Sequence, residues 1–126
     1  MFLLELNERQ KELFVNIAVH AAHANGALKD EELKLIEIYS REMDMEAPDM
    51  EIRSELEEDL KELKSISTKP QLNKITFEIL AIFISDQEYS QDEIKFMDLL
   101  AEIFEVEKFI INKMVDHINQ YNYLLE

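Results

Sequence analysis

Residues 75–84 read ITFEILAIFI, and residues 85–93 continue SDQEYSQDE. The first segment is apolar on almost every side, with Thr76 and Glu78 as the exceptions. A helix that is apolar all round is typically buried, so this segment predicts the central helix of the fold. The polar stretch that follows has two interpretations: a turn between two helices, or a set of oxygen ligands for a metal ion.

Outward from this segment, apolar residues recur at helical spacing along nearly the whole chain. The further apolar stripes lie within residues 13–22, 33–43, 52–63, 94–104 and 110–121. The chain has 126 residues but only one Gly and two Pro, too few for the many turns of a sheet protein. The sequence therefore predicts an all-α, single-domain helical bundle of about six main helices over residues 1–126.

Two prolines suggest where helices begin. Pro48 suits the first turn of a third helix, predicted from Asp49 to Glu62, because a missing N–H costs little there. Thr68 and Gln71 flank Lys-Pro in the spacing of a capping box, which predicts the start of the fourth helix.

The two halves of the chain resemble each other when the sequence is shifted by 61 residues. Asn25 then falls on Asp86, and Glu32 falls on Glu93. The apolar pattern and the turn positions are maintained, which predicts two pseudo-symmetric three-helix halves at about 10–64 and 70–121. Small residues in one half match large ones in the other: Ala18, Ala21 and Ala22 correspond to Ile79, Ile82 and Phe83.

Charge and composition exclude several functions. The formal net charge of −15 disfavours nucleic acid and anionic membranes but permits divalent cations and a basic protein partner. The absence of Cys excludes thiolate metal sites. The N-terminus lacks the features of a signal peptide, and Ile79–Ile84 is too short to span a bilayer, so we expect a cytoplasmic protein. The oligomeric state does not follow from these features.

The acidic turn residues allow two interpretations that are mutually compatible. Ser90 and Glu93 have the spacing of a capping box. Alternatively, Asp86 and Glu93, with Asn25 and Glu32 across the pseudo-dyad, supply oxygen ligands for Mg²⁺ or Ca²⁺. An EF-hand is excluded, because a loop ending at Glu93 would lack carboxylates in its front half.

Catalytic motifs are lacking. There is no nucleophile elbow and no Gly-rich phosphate loop, so we expect no enzymatic activity. His20 and His23 could approach one metal ion, but local hydrogen bonding or solvation is the favoured interpretation. Glu78 lies either at an exposed edge or buried beside a partner.

The acidic segment from Asp49 to Glu62 is read first as a solvated face. The alternative is a docking surface for a basic partner.

The repeated turns resemble the unit of the tellurite-resistance protein B-like (TerB-like) family, in which Asp-Gly-x-apolar-Ser-x-x-Glu joins two helices. The copies here are residues 25–32, NGALKDEE, and residues 86–93, DQEYSQDE. The resemblance covers about residues 10–121. It implies an all-helical, non-enzymatic bacterial stress-response protein, with acidic turn residues proposed to bind metal. Asn25, Lys29 and Gln87 depart from the family pattern.

Overall fold

The computed structural model describes residues 2–24, 26, 28–84 and 89–125, with side chains up to residue 120. This part of the chain forms one short 3-10 helix, Phe2–Glu5, six α-helices and no strand. The α-helices are α1 (Glu8–His23), α2 (Asp30–Glu42), α3 (Leu56–Ser65), α4 (Lys69–Ile84), α5 (Gln91–Phe104) and α6 (Lys108–Leu125). The predicted all-α helical bundle is confirmed.

Helix α4 lies at the centre of the bundle, as its all-round apolar sequence predicts. It packs against α1, α2, α5 and α6, whereas α3 packs against α1 and α5. Ile75, Ile79 and Phe83 are fully buried on α4, and the Phe83 ring meets Phe96 of α5 edge-on at 5.1 Å between centroids. Aromatic pairs in this arrangement contribute about 0.5–1.5 kcal/mol beyond their burial.

Helices α1 and α4 begin in the same way. Asn7 and Gln10 form a capping box at the start of α1, and Thr68 and Gln71 form the predicted one at the start of α4. The two helices have bounds that differ by 61 residues at both ends. The buried Gln10 amide also donates to Gln71 Oε1 at 3.2 Å, so the two boxes contact each other.

The first residues of α2 and α5, Asp30 and Gln91, are also 61 residues apart. Both helices are followed by a left-handed residue, Asp44 with φ 57° and Glu105 with φ 58°. The third helices, α3 and α6, do not show this correspondence, because α3 has 10 residues and α6 has 18. The division into half-repeats stays a prediction, supported by the first two helices of each half.

The predicted start of the third helix is wrong. Residues 45–55 form no helix, so Pro48 lies in a connecting segment, and Ile52, placed on the apolar stripe, is 48% exposed. Met50 has φ 66°, a left-handed conformation that a right-handed helix excludes. Asp49 Oδ1 accepts the Glu51 N–H at 3.1 Å, which favours a turn over a helix.

Across the described residues, no helix combines the length and apolar character needed to cross a membrane.

Candidate cation site at the inter-helix turns

Glu93 is the best-defined residue of the candidate site. Ser90 Oγ accepts the Glu93 N–H at 3.2 Å, and Glu93 Oε1 accepts the Ser90 N–H at 2.8 Å. This reciprocal pair is the capping box that the sequence predicts at the start of α5. The helix N-terminus also favours the negative charge of the carboxylate.

The second oxygen of Glu93 is not used by the capping box. The Glu93 side chain is 0% exposed, and no residue in the described part of the chain donates a hydrogen bond to Oε2. Leaving a buried carboxylate oxygen without a donor is unfavourable, by at least about 1–3 kcal/mol. Among the described residues, the charge on this oxygen therefore has no hydrogen-bonding compensation.

Glu32 occupies the equivalent position in the first half. It lies in the first turn of α2 and is 1% exposed. The residue before that helix is Lys29, whose side chain makes no capping hydrogen bond, whereas Ser90 caps α5. Burial of the two glutamates is thus shared by the halves, but the serine cap is not.

The other two predicted ligands, Asn25 and Asp86, lie outside the described residues. Within the described residues, no group of three or more His, Asp or Glu side chains is placed to hold a metal ion. The structure therefore defines the surroundings of two of the four predicted ligands. Gly26, in the first turn, has φ 81°, a conformation that glycine adopts without strain.

The two histidines of α1 are hydrogen-bonded to backbone, in agreement with the favoured interpretation. His20 Nε2 donates to the Ser54 carbonyl at 3.0 Å, and His23 Nε2 donates to the Met50 carbonyl at 2.6 Å. Both carbonyls belong to residues 45–55, which we call the strap. The histidines hold the strap against α1, so their Nε2 atoms are occupied.

Glu78 is half-buried on α4, and burial raises the pKa of its carboxyl, with the charge of Glu42 adding to the effect. Tyr39 Oη donates to the Glu78 carbonyl oxygen at 3.2 Å. Burial raises the pKa of the Tyr39 phenol far above its usual range. This cluster joins α2 to the central helix.

The acidic residues of α3, and Glu55 just before it, differ in their partners. The Arg9 guanidinium binds both oxygens of Glu62, at 2.5 and 2.6 Å, which joins α1 to α3. Glu57 pairs with Lys61 at 3.4 Å. Glu55 and Glu58 are exposed and form no ion pair among the described residues, so they carry most of the uncompensated charge of this surface.

A groove between α5 and α6 was not predicted from the sequence. Its volume is about 260 Å³, and its apolar lining includes half-buried Ile94 and Ala101. Tyr89 also lines the groove; burial, followed by the charges of Asp98 and Glu93, raises the pKa of its phenol to about 12. The sequence feature that could have drawn attention to this surface is the pair of carboxylates Asp98 and Glu102, which are four residues apart on one helix.

In comparisons with protein-family models, curated proteins and solved structures, no match to this chain was found.

Proposed function

We propose that this chain is a non-enzymatic helical module that binds a divalent cation, Mg²⁺ or Ca²⁺, at its acidic inter-helix turns. The observation that carries the proposal is the fully buried Glu93 carboxylate, whose Oε2 lacks a hydrogen-bond donor among the described residues. A hard cation prefers such an oxygen and compensates for the burial of the negative charge.

Two properties of the chain support this choice of ligand. The chain has no Cys, and carboxylate and amide oxygens favour hard cations over soft ones. The proposed ligands are Asp86 and Glu93 in the second turn, and Asn25 and Glu32 in the first. Of these four ligands we expect Asp86 and Glu93 to contribute most, because Asp86 has a charge where Asn25 is neutral, and affinity rises with ligand charge.

The capping box and the cation site are compatible roles for Glu93. Oε1 holds the helix start, and Oε2 faces the ligand. A cation bound at Oε2 would therefore stabilise the start of α5 together with the turn before it. Binding to the folded state alone raises stability in proportion to the logarithm of cation concentration.

The test is a calorimetric titration with Ca²⁺, Mg²⁺, Mn²⁺ and Zn²⁺. We compare the wild type with Asp86→Asn/Glu93→Gln, because glutamine at the third position retains a capping box. The control Glu55→Gln/Glu58→Gln removes the same charge from the exposed acidic surface. We expect saturable binding in the wild type and in the control, and a loss of at least about tenfold in affinity in the turn variant. No binding by the wild type, or equal binding by all three proteins, would contradict the proposal.

The physiological part of the proposal rests on the resemblance to TerB-like proteins, which suggests a cytoplasmic role in bacterial stress response or tellurite resistance. Its test is growth of a bacterial host under tellurite, with the wild-type chain or the turn variant expressed at equal levels. Equal growth in both cultures would separate cation binding from this phenotype.

The second candidate function is an interaction module that docks a basic protein partner. Glu55 and Glu58 favour it, because both are exposed and form no ion pair with another described residue. Glu62 does not belong to this surface, because its carboxylate is engaged by Arg9. The net charge of −15 supports a partner that is neither nucleic acid nor membrane.

A further inference from the structure

The groove between α5 and α6 combines an apolar interior with an acidic edge. Its half-buried apolar residues are Ile94 and Ala101, and its other apolar lining residues, Met97, Val106 and Ile111, are buried and offer little surface to a ligand. Asp98 and Glu102, by contrast, are exposed. The groove thus has the arrangement of a polypeptide-binding site, in which an apolar contact gives affinity and charges at the rim give specificity.

The two carboxylates at the edge are not neutralised within the described part of the protein. Asp98 and Glu102 lie one helical turn apart, and like charges at this spacing repel each other. The nearest lysines of α3 are engaged elsewhere, since Lys61 pairs with Glu57 and Lys64 pairs with Glu105 at 3.0 Å. Among the described residues that line the groove, Lys108 is the only basic one.

The size of the groove suits peptide side chains better than a whole small molecule. A volume of about 260 Å³ lies just below the range of about 300–1,000 Å³ that is typical of small-molecule pockets. It is large enough for one or two apolar side chains. Peptides that dock in such grooves insert anchors spaced three or four residues apart and leave their polar groups at the rim.

We propose that the α5–α6 groove docks a basic peptide segment of a partner protein. An apolar side chain of the peptide packs over Ile94 and Ala101, and a Lys or Arg side chain pairs with Asp98 and Glu102. This inference rests on the second candidate function, the docking of a basic partner. It assigns the docking to the groove and not to the acidic surface at α3. It does not depend on cation binding, because the groove residues are not among the four proposed ligands.

The experiment is a selection of random linear peptides displayed against the folded chain, with counter-selection against Ala101→Trp, whose indole would fill the groove. Enriched peptides are synthesised with a fluorophore and titrated by fluorescence anisotropy. We expect them to share basic residues next to apolar ones. We expect at least about tenfold weaker binding to Ala101→Trp and to Asp98→Lys/Glu102→Lys.

Glu55→Lys/Glu58→Lys is the matched control, because it makes the same change in charge on the other exposed surface. Circular dichroism melting verifies that each variant is folded, and the exposed Asp98 and Glu102 tolerate substitution even if tryptophan at Ala101 does not. Binding to the control should equal binding to the wild type.

Three results would overturn the proposal: no enrichment, enriched peptides without basic residues, or equal binding by the groove variants and the wild type. Peptides that lose affinity only for Glu55→Lys/Glu58→Lys would also overturn it. That result would place the peptide-binding surface at α3 and leave the proposed interaction function standing.

Discussion

The two halves of this bundle have the same plan in their first two helices and differ in how the third helix is reached. In the first half, the strap of residues 45–55 leads to α3, which packs on α1 and α5. In the second half, only residues 105–107 separate α5 from α6, which packs on α4. In both halves the third helix thus packs on the first helix of its own half, and the halves differ in the length of the connection and in the additional contact of α3 with α5.

The same comparison applies to the turns. Both halves bury a glutamate in the first turn of their second helix, Glu32 and Glu93. Only the second half places a serine before it, where Ser90 completes a capping box. The shared burial indicates a common packing requirement, whereas the side-chain cap at the start of the helix is present only in the second half.

The largest expected effect tests whether α4 contributes more to the core than α1, its counterpart in the first half. Phe83→Ala on α4 should lower the free energy of unfolding by about 3–5 kcal/mol, because a buried aromatic ring is replaced by a cavity. Its counterpart change, Ala22→Gly on α1, should cost about 1 kcal/mol through helix propensity. Urea denaturation of both variants measures the difference. Equal losses would contradict the central position of α4.

The next effect tests the strap, which the second half lacks. His20→Ala/His23→Ala removes the donors to the Ser54 and Met50 carbonyls. We expect a loss of about 1–3 kcal/mol in the free energy of unfolding. Trypsin should also cleave after Arg53 in the strap faster than in the wild type. Unchanged cleavage, with Arg41 in α2 as the internal reference site, would show that the histidines do not hold the strap.

A smaller effect tests the difference in caps. Ser90→Ala should destabilise the protein by about 1 kcal/mol, because the Glu93 N–H loses its acceptor. Lys29→Ser in the other half should stabilise by up to about 1 kcal/mol, since serine can supply the side-chain cap that Lys29 does not. Thermal unfolding measures both. A stabilising Ser90→Ala would contradict the assigned capping role.

The smallest effect concerns the ion pair that joins the first and third helices of the first half. The Arg9 guanidinium lowers the pKa of Glu62 below its ordinary value of 4.5. The pair therefore contributes fully above about pH 4.5, and its contribution is lost as the pH falls through the lowered pKa. Arg9→Ala should reduce the slope of stability against pH in this acidic range. Because the pair is exposed, added salt should diminish the difference.

Much of the fold was predictable from local pattern. The continuous apolar run at 75–84 identified the central helix, and Thr68 and Gln71 identified its start. The start of the third helix was wrongly predicted from Pro48, because proline suits both the first turn of a helix and an extended segment. The position of α3 depends on the left-handed Met50 and on histidine contacts from α1, which lie 27 and 34 residues away in sequence.

The site was predictable only in part. The sequence indicated that Glu93 would cap α5, since capping is a local interaction over three residues. It did not indicate that Oε2 would be buried without a donor among the described residues, because burial depends on packing by the rest of the bundle.

By itself, then, the sequence determined the all-α class, the central helix and the capped turns. Each of these follows from side chains within one or two helical turns of one another. Tertiary structure alone decided the course of the strap, the burial of the glutamates and the groove between α5 and α6. These features depend on which helices meet, and segments distant in sequence determine that together.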